Sequence, residues 1–101
     1  PLNQADIYII ALDESANAYS FSIADKLRNK LGIKVICETL RRSMKAQLRE
    51  ANKNNAKFTI LIGNDEIESN QVIIKNMEDG TQTNALIDDI ENYFGVDYEY
   101  K

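Results

Sequence analysis

Ten of the twelve lysines and arginines in this chain fall between Lys26 and Lys57: Lys26, Arg28, Lys30, Lys34, Arg41, Arg42, Lys45, Arg49, Lys53 and Lys57. They are opposed there only by Glu38 and Glu50. That segment carries plus 8 and the remainder minus 12, so a net charge of −4 conceals a strongly polarised chain. A cationic region of this size attracts polyanions whatever the total charge. Arg42, Lys45, Arg49 and Lys53 recur at steps of three, four and four, which places four cations on one side of a helix. Such a row can position phosphate groups without reading sequence. The plain alternative is that these side chains only solvate helix faces.

Other chemistry is poorly supplied. There is no histidine, so serine nucleophiles have no imidazole base and the usual zinc-ligand patterns are missing. Cys37 is the single cysteine; it cannot form an internal disulfide and reads as core, because a reactive thiolate needs a basic setting and a partner base. The four glycines stand singly at element ends, with no phosphate-cradling loop. Asp88 and Asp89 read as a solvated helix face. No active site is expected in these residues.

The elements that must hold the cationic row follow from periodicity. Residues 6–12 contain a β-branched and aromatic run, Ile7-Tyr8-Ile9-Ile10-Ala11-Leu12, which predicts a central strand. Asp13, Glu14 and Ser15 then signal a helix start, with Ala18, Phe21, Ile23 or Ala24, Leu27 and Leu31 as its apolar stripe and Gly32 as its stop. Residues 33–38 predict a second strand, with Ile33, Val35 and Cys37 on one face and Ile36 on the other. A second helix is expected over 43–54, buried through Met44, Leu48 and Ala51.

The apolar run 58–62, closed by Gly63, reads as a strand buried on both faces. Residues 64–68 predict one helical turn and 71–76 a fourth strand. A turn at Gly80 leads to a fifth strand at 81–85. Thr83 or Asn84 is expected to cap a last helix facing inward through Leu86, Ile87, Ile90, Tyr93 and Phe94 and ending at Gly95, with residues 96–101 unassigned. The predicted class is α/β: a three-layer α/β/α domain on a mixed, mostly parallel five-stranded sheet. At 101 residues the chain is one domain. No stretch approaches the ~18 apolar residues of a membrane span, so no membrane partner is expected and a cytoplasmic location is. A start on Pro1 suggests a piece of a longer protein.

Several segments carry a resemblance: Ile60-Leu61-Ile62-Gly63-Asn64-Asp65-Glu66-Ile67-Glu68-Ser69, then Val72-Ile73-Ile74-Lys75-Asn76-Met77 and Gly80-Thr81-Gln82. The chain from Ile7 to Phe94 resembles the carboxy-terminal anticodon-binding domain of class IIa aminoacyl-tRNA synthetases, and residues 75–82 are most similar to its histidyl branch. Two positions depart from the family pattern: Asn70 stands where glycine is usual, and Asn64 where an acid is frequent.

The resemblance implies that Glu66 and Lys75 meet anticodon bases, with Arg41 near a third contact and Arg42, Lys45 and Arg49 on the RNA backbone. The chemistry is sensible, since a carboxylate can accept from the N–H groups of an unstacked guanine and an ammonium can donate to a base carbonyl or phosphate. For the parent protein the resemblance implies ATP- and magnesium-dependent joining of histidine to its tRNA, by a separate catalytic domain and usually in a homodimer, with no cofactor in this segment. The alternatives are the matching domain of a threonyl, prolyl or glycyl enzyme, or a non-catalytic interaction or regulatory module on the same fold.

Overall fold

The computed structural model describes residues 5–38 and 43–99, with side chains placed for all of these except Glu38 and residues 96–99. Five strands form one sheet in the order β2-β1-β3-β4-β5: β1 Ile7–Ala11, β2 Val35–Glu38, β3 Phe58–Ile62, β4 Gln71–Asn76 and β5 Gln82–Leu86. β1 pairs in parallel with both β2 and β3, whereas β4 is antiparallel to both β3 and β5. Four strands therefore point one way and β4 alone is reversed. Parallel pairing needs a crossover of a dozen or more residues. The helix α1 (Asn17–Leu31) and the stretch holding α2 (Met44–Lys53) supply that length, but α3 (Asn64–Ser69) has six residues and can only turn the chain back.

The two faces are filled differently. One packs Ile7, Ile9, Ile60, Ile62, Val72 and Ile74 against Ile23, Ala24 and Leu27 of α1 and against Ile90 and Phe94 of the last helix, α4 (Ile90–Glu99). The Phe94 ring meets Phe58 and Tyr93 edge-on, with centroids 5.4 and 5.0 Å away. The other face holds Tyr8, Ile10 and Leu61 under Ala51 and Leu48 of α2.

Helix ends follow local chemistry. α1 stops at Gly32, which takes φ +65 and donates its N–H to Arg28 and Leu27 carbonyls. The Ser43 hydroxyl caps α2 by accepting from the Ala46 N–H at 3.2 Å. Asn70 ends α3 at φ +58, in the left-handed region that asparagine tolerates and glycine enters freely.

Three expectations are corrected. The buried stripe of α1 runs through Ser20, Ile23, Ala24 and Leu27, while Ala18 and Phe21 face solvent. Ser20 can be buried because its hydroxyl donates to the Ala16 carbonyl one turn back. In α2 it is Gln47 that is buried, and Met44 is exposed. At the far end, Thr83 and Asn84 are paired within β5 and cap nothing; Leu86 is exposed, and α4 starts at Ile90 after a 3-10 turn over Ile87–Asp89. Gly95 lies inside α4, which continues to Glu99. Alternation in β5 competes with the helical spacing of the same residues, and five ladder partners in β4 decide it.

Candidate nucleic-acid interface

α2 covers the sheet mainly over β1; among the described residues its cluster reaches β4 only through half-buried Ile73, so the rest of β4 and β5 is less covered on that side. Strand alternation puts Gln71, Ile73 and Lys75 on this less covered face, and their cross-strand partners Leu86, Asn84 and Gln82 beside them. Gln71, Gln82, Asn84 and Leu86 are exposed; Ile73 and Lys75 are half-buried. The surface is thus a small grid of amides, two aliphatic side chains and one ammonium, and among the described residues Lys75 has no ion-pair partner.

α2, packed on the same side of the sheet over β1, carries cations of its own. Lys45, Arg49 and Lys53 are exposed at steps of four, and none pairs with an acid among the described residues. Arg41 and Arg42, expected to extend the row, lie outside the described residues. The basic residues of α1 have a different fate. Arg28 donates to the Val35 carbonyl at 2.7 Å and approaches Asp25 at 3.9 Å, and Lys30 pairs with Glu91 of α4 at 3.4 Å. Lys57 pairs with Asp6 at 3.8 Å. The single cationic segment of the sequence is therefore divided between the two sides of the sheet, since consecutive right-handed crossovers pass over opposite faces when the strand order reverses.

Glu66 is placed by α3. As the third residue of that helix, its carboxylate accepts the Gly63 N–H at 2.9 Å, which satisfies one of the orphan donors of the first turn. This leaves its second oxygen for another donor. Glu66 lines a shallow hollow with Ser69, Gln71, Val72, Ile73 and Asn84. Lys75 lies two residues beyond Ile73, or about 7 Å further along β4. Glu66 and Lys75 thus belong to one side of the molecule, at opposite ends of the exposed strand.

A rigid support lies behind Glu66. Asp13 accepts the Asn64 N–H at 2.9 Å, and the Ser15 hydroxyl lies between the Asp13 carboxylate and the Asn64 side-chain carbonyl. The Ser15 hydroxyl first, then the Asn64 N–H, hold the Asp13 carboxyl below the usual carboxylate range. An acid at position 64 would confront Asp13, whose carboxylate accepts the Asn64 N–H. Gly63 is equally constrained: a Cβ there would come within 3.0 Å of Asp13 Oδ2, 3.1 Å of Leu12 Cβ and 3.3 Å of Glu66 Oε1. On the far side of the sheet, burial pushes the Cys37 thiol up, which keeps it protonated and unreactive at neutral pH.

Sequence reasoning missed Gln71, Ile73, Gln82 and Asn84. The signal that finds them is polar alternation in β4 and β5, legible once the antiparallel register is known.

The family model for the anticodon binding domain matches residues 6–95. The histidine–tRNA ligase of Caldanaerobacter subterraneus subsp. tengcongensis is 45% identical over 86 residues, which are 85% of this chain and 20% of that protein. That of Staphylococcus aureus strain Newman is 35% identical over 89 residues, 88% of this chain and 21% of that protein. The crystal structure of apo S. aureus histidyl-tRNA synthetase superposes with a TM-score of 0.83 at 34% identity, over 91% of this chain and 27% of that one. The RNA binding domain of threonyl-tRNA synthetase from Cryptosporidium parvum shares the fold, with a TM-score of 0.80 at 16% identity over 93% of this chain and 23% of that one. The chain spans about a fifth of the length of the curated relatives it matches. With one family model covering nearly all of its described fold, this chain belongs to the anticodon binding domain family, in the form carried by histidine–tRNA ligases.

Proposed function

We propose that this chain is the carboxy-terminal domain of a cytoplasmic histidine–tRNA ligase and that it holds the anticodon loop of histidine tRNA on the less covered face of β4 and β5. The observation that carries the reading is the pairing of a free cationic row, Lys45, Arg49 and Lys53, with an uncovered polar strand surface ending at Glu66 and Lys75. The row neutralises backbone phosphates; the strand surface meets splayed bases. Arg42, at the entrance to α2, extends the phosphate contacts, and Arg41 stands near a third base contact. Joining histidine to tRNA with ATP and magnesium is the work of a separate catalytic domain, in a parent that acts as a homodimer, and this segment supplies recognition alone.

The test is titration of the chain with a histidine-tRNA anticodon stem-loop across a salt series. Weak binding with a log–log salt slope near −2 to −3 is expected, from three or four phosphate contacts at ~0.7 each. Glu66→Ala with Lys75→Ala should lower affinity at every salt concentration. Binding that ignores both salt and this double substitution would overturn the reading.

A further inference from the structure

The two edges of the sheet are finished differently. At the β2 edge the Lys34 carbonyl turns inward and accepts the Asp6 and Ile7 N–H groups, so the next carbonyl, that of Val35, points outward, where Arg28 of α1 covers it at 2.7 Å. At the β5 edge two bonds on the β4 side fix the backbone direction: Asn76 N–H to the Thr81 carbonyl at 2.8 Å and Ile87 N–H to the Asn70 carbonyl at 2.9 Å. Direction alternates along a strand, so Thr81, Thr83, Ala85 and Ile87 face β4, whereas Gln82, Asn84 and Leu86 turn their N–H groups away from the sheet. The Gln82 and Asn84 carbonyls turn out with them; that of Leu86 is taken up by the 3-10 turn it begins. Three donors and two acceptors thus stand in a row with no partner among the described residues.

Free edges are usually blunted by a lysine, a proline or a bulge. β5 has none of these: it reads Gln-Thr-Asn-Ala-Leu, its register with β4 is unbroken, and Leu86 is exposed for an apolar side chain to stack on. Its charges lie beyond its ends. Glu78 and Asp79 are exposed in the turn before it and Asp88 and Asp89 in the turn after it, while the nearest cation in the ladder, Lys75, is one strand in. We propose that the β5 edge is a docking site for an extended segment of a partner protein, uncharged and β-forming in its middle with lysine or arginine at both ends, which joins the five-stranded sheet as a further strand. Main-chain bonds to Gln82, Asn84 and Leu86 supply the attachment, and the flanking acids choose the partner. Those acids also disfavour other occupants. A second copy paired antiparallel about Asn84 would bring Glu78 and Asp79 of one chain toward Asp88 and Asp89 of the other, acid against acid at both ends. A nucleic-acid backbone would meet the same carboxylates. Docking at this edge is independent of RNA binding.

The experiment is amide hydrogen exchange and affinity of the chain with a blocked synthetic peptide of alternating valine and threonine that carries lysines at both ends. In the free chain the Gln82, Asn84 and Leu86 amides should exchange fast and those of Thr83 and Ala85 slowly. At saturation the peptide should slow the first set about 10-fold or more and leave the second as it was. A peptide N-methylated on the residues that face β5, and one with glutamates in place of the lysines, should both lose this effect. Asn84→Pro removes one outward donor while sparing the bonds to β4, and should weaken the peptide about 5-fold or more. Glu78→Gln/Asp89→Asn, one acid from each end, should weaken it roughly 2- to 10-fold at low salt. The peptide arms use the unaltered chain, so they decide the matter even where a variant misfolds. Unchanged exchange at Gln82, Asn84 and Leu86 with the peptide present would overturn the proposal, and equal protection by the lysine and glutamate peptides would overturn the partner it names. So would protection of the free chain that grows with its concentration, which seats a second copy on the edge, or protection of the same amides by an anticodon stem-loop, which gives the edge to RNA.

Discussion

The two sides of the sheet use the same kinds of residue for opposite ends. On the α1/α4 side, basic groups are tied down: Arg28 donates to the β2 backbone and Lys30 pairs with Glu91, over a core that buries Phe94 completely. On the α2 side the core is smaller, the helix covers part of the sheet, and Lys45, Arg49 and Lys53 reach solvent with no ion-pair partner among the described residues. A charge that already has a protein partner gains little by meeting a phosphate, because it must first give up that partner. The comparison teaches that local charge density along a sequence is not the quantity that matters; which crossover carries the charge is. Stability should therefore concentrate on one side and RNA affinity on the other.

The largest expected effect tests the closed side. Phe94→Ala removes a fully buried ring that touches Phe58 and Tyr93, and should cost about 3–5 kcal/mol of unfolding free energy by denaturant titration. For a chain this small, that is a large part of the total. An equal loss from any α2 surface substitution would break the asymmetry.

The open side is tested next. Replacing Lys45, Arg49 and Lys53 together by alanine should weaken stem-loop binding roughly 10- to 100-fold and reduce the log–log salt slope by about 2, for three phosphate contacts at ~0.7 each. Stability should change by under about 0.5 kcal/mol per site. The matched control is Lys30→Ala, on the closed side, which should leave the salt slope where it was. Similar slopes for the two variants would show that the faces do not divide the work.

Gly63→Ala probes the seam between the sides. The new methyl would press on Asp13, Leu12 and Glu66, and overpacking of this kind costs about 1–3 kcal/mol. Because two of those neighbours support or form the proposed base contact, affinity should fall together with the thermal midpoint. Asn70→Ala is milder, about 1–2 kcal/mol, since alanine resists the left-handed conformation that Asn70 adopts at the end of α3. Asn70→Gly should be neutral or slightly stabilising.

Much of this asymmetry was hidden in the sequence, although the element order was not. The strands announce themselves by β-branched runs, Gly32 and Ser43 mark helix ends by their local chemistry, and the crossovers follow from alternation of strand and helix. What periodicity could not reveal was which polar residues can be buried. Ser20 and Gln47 look like surface positions until Ser20's bond to Ala16 and the packing of α2 are known, so helical spacing points to Phe21 and Met44 in their place. Nor does a row of cations declare its side of the sheet, because that depends on strand order, which is long-range. The polar grid of Gln71, Gln82 and Asn84 was illegible for the same reason: it exists only through the β4–β5 register. Glu66 and Lys75 were reachable through family resemblance, and the carboxylate's tie to Gly63 through the capping pattern of a short helix.

The smallest expected effect concerns acid, and it separates the seam from the hairpin. Asp13 is held below the usual carboxylate range by Ser15 and Asn64, and Asp79, in the β4–β5 turn, by the Thr81 N–H and then its hydroxyl. A carboxyl whose value is depressed on folding contributes its stabilisation in full above the unfolded value, near 4, and loses it as pH falls through the folded value. Both groups should therefore make stability decline below about pH 4, and each should flatten that decline when replaced by asparagine. Asp79 is exposed and Asp13 only half-buried, so screening keeps the effect small and high salt should shrink it further. The positions differ in what they hold: Asp13 joins the start of α1 to the start of α3, while Asp79 closes a turn on itself. Loss of its charge at low pH should loosen the helix that carries Glu66, and stem-loop affinity should follow the Asp13 titration but not that of Asp79. Affinity measured from pH 6 to 3 in wild type, Asp13→Asn and Asp79→Asn decides this: a pH response that Asp79→Asn alters and Asp13→Asn does not would mean that the support behind Glu66 has no part in holding the RNA.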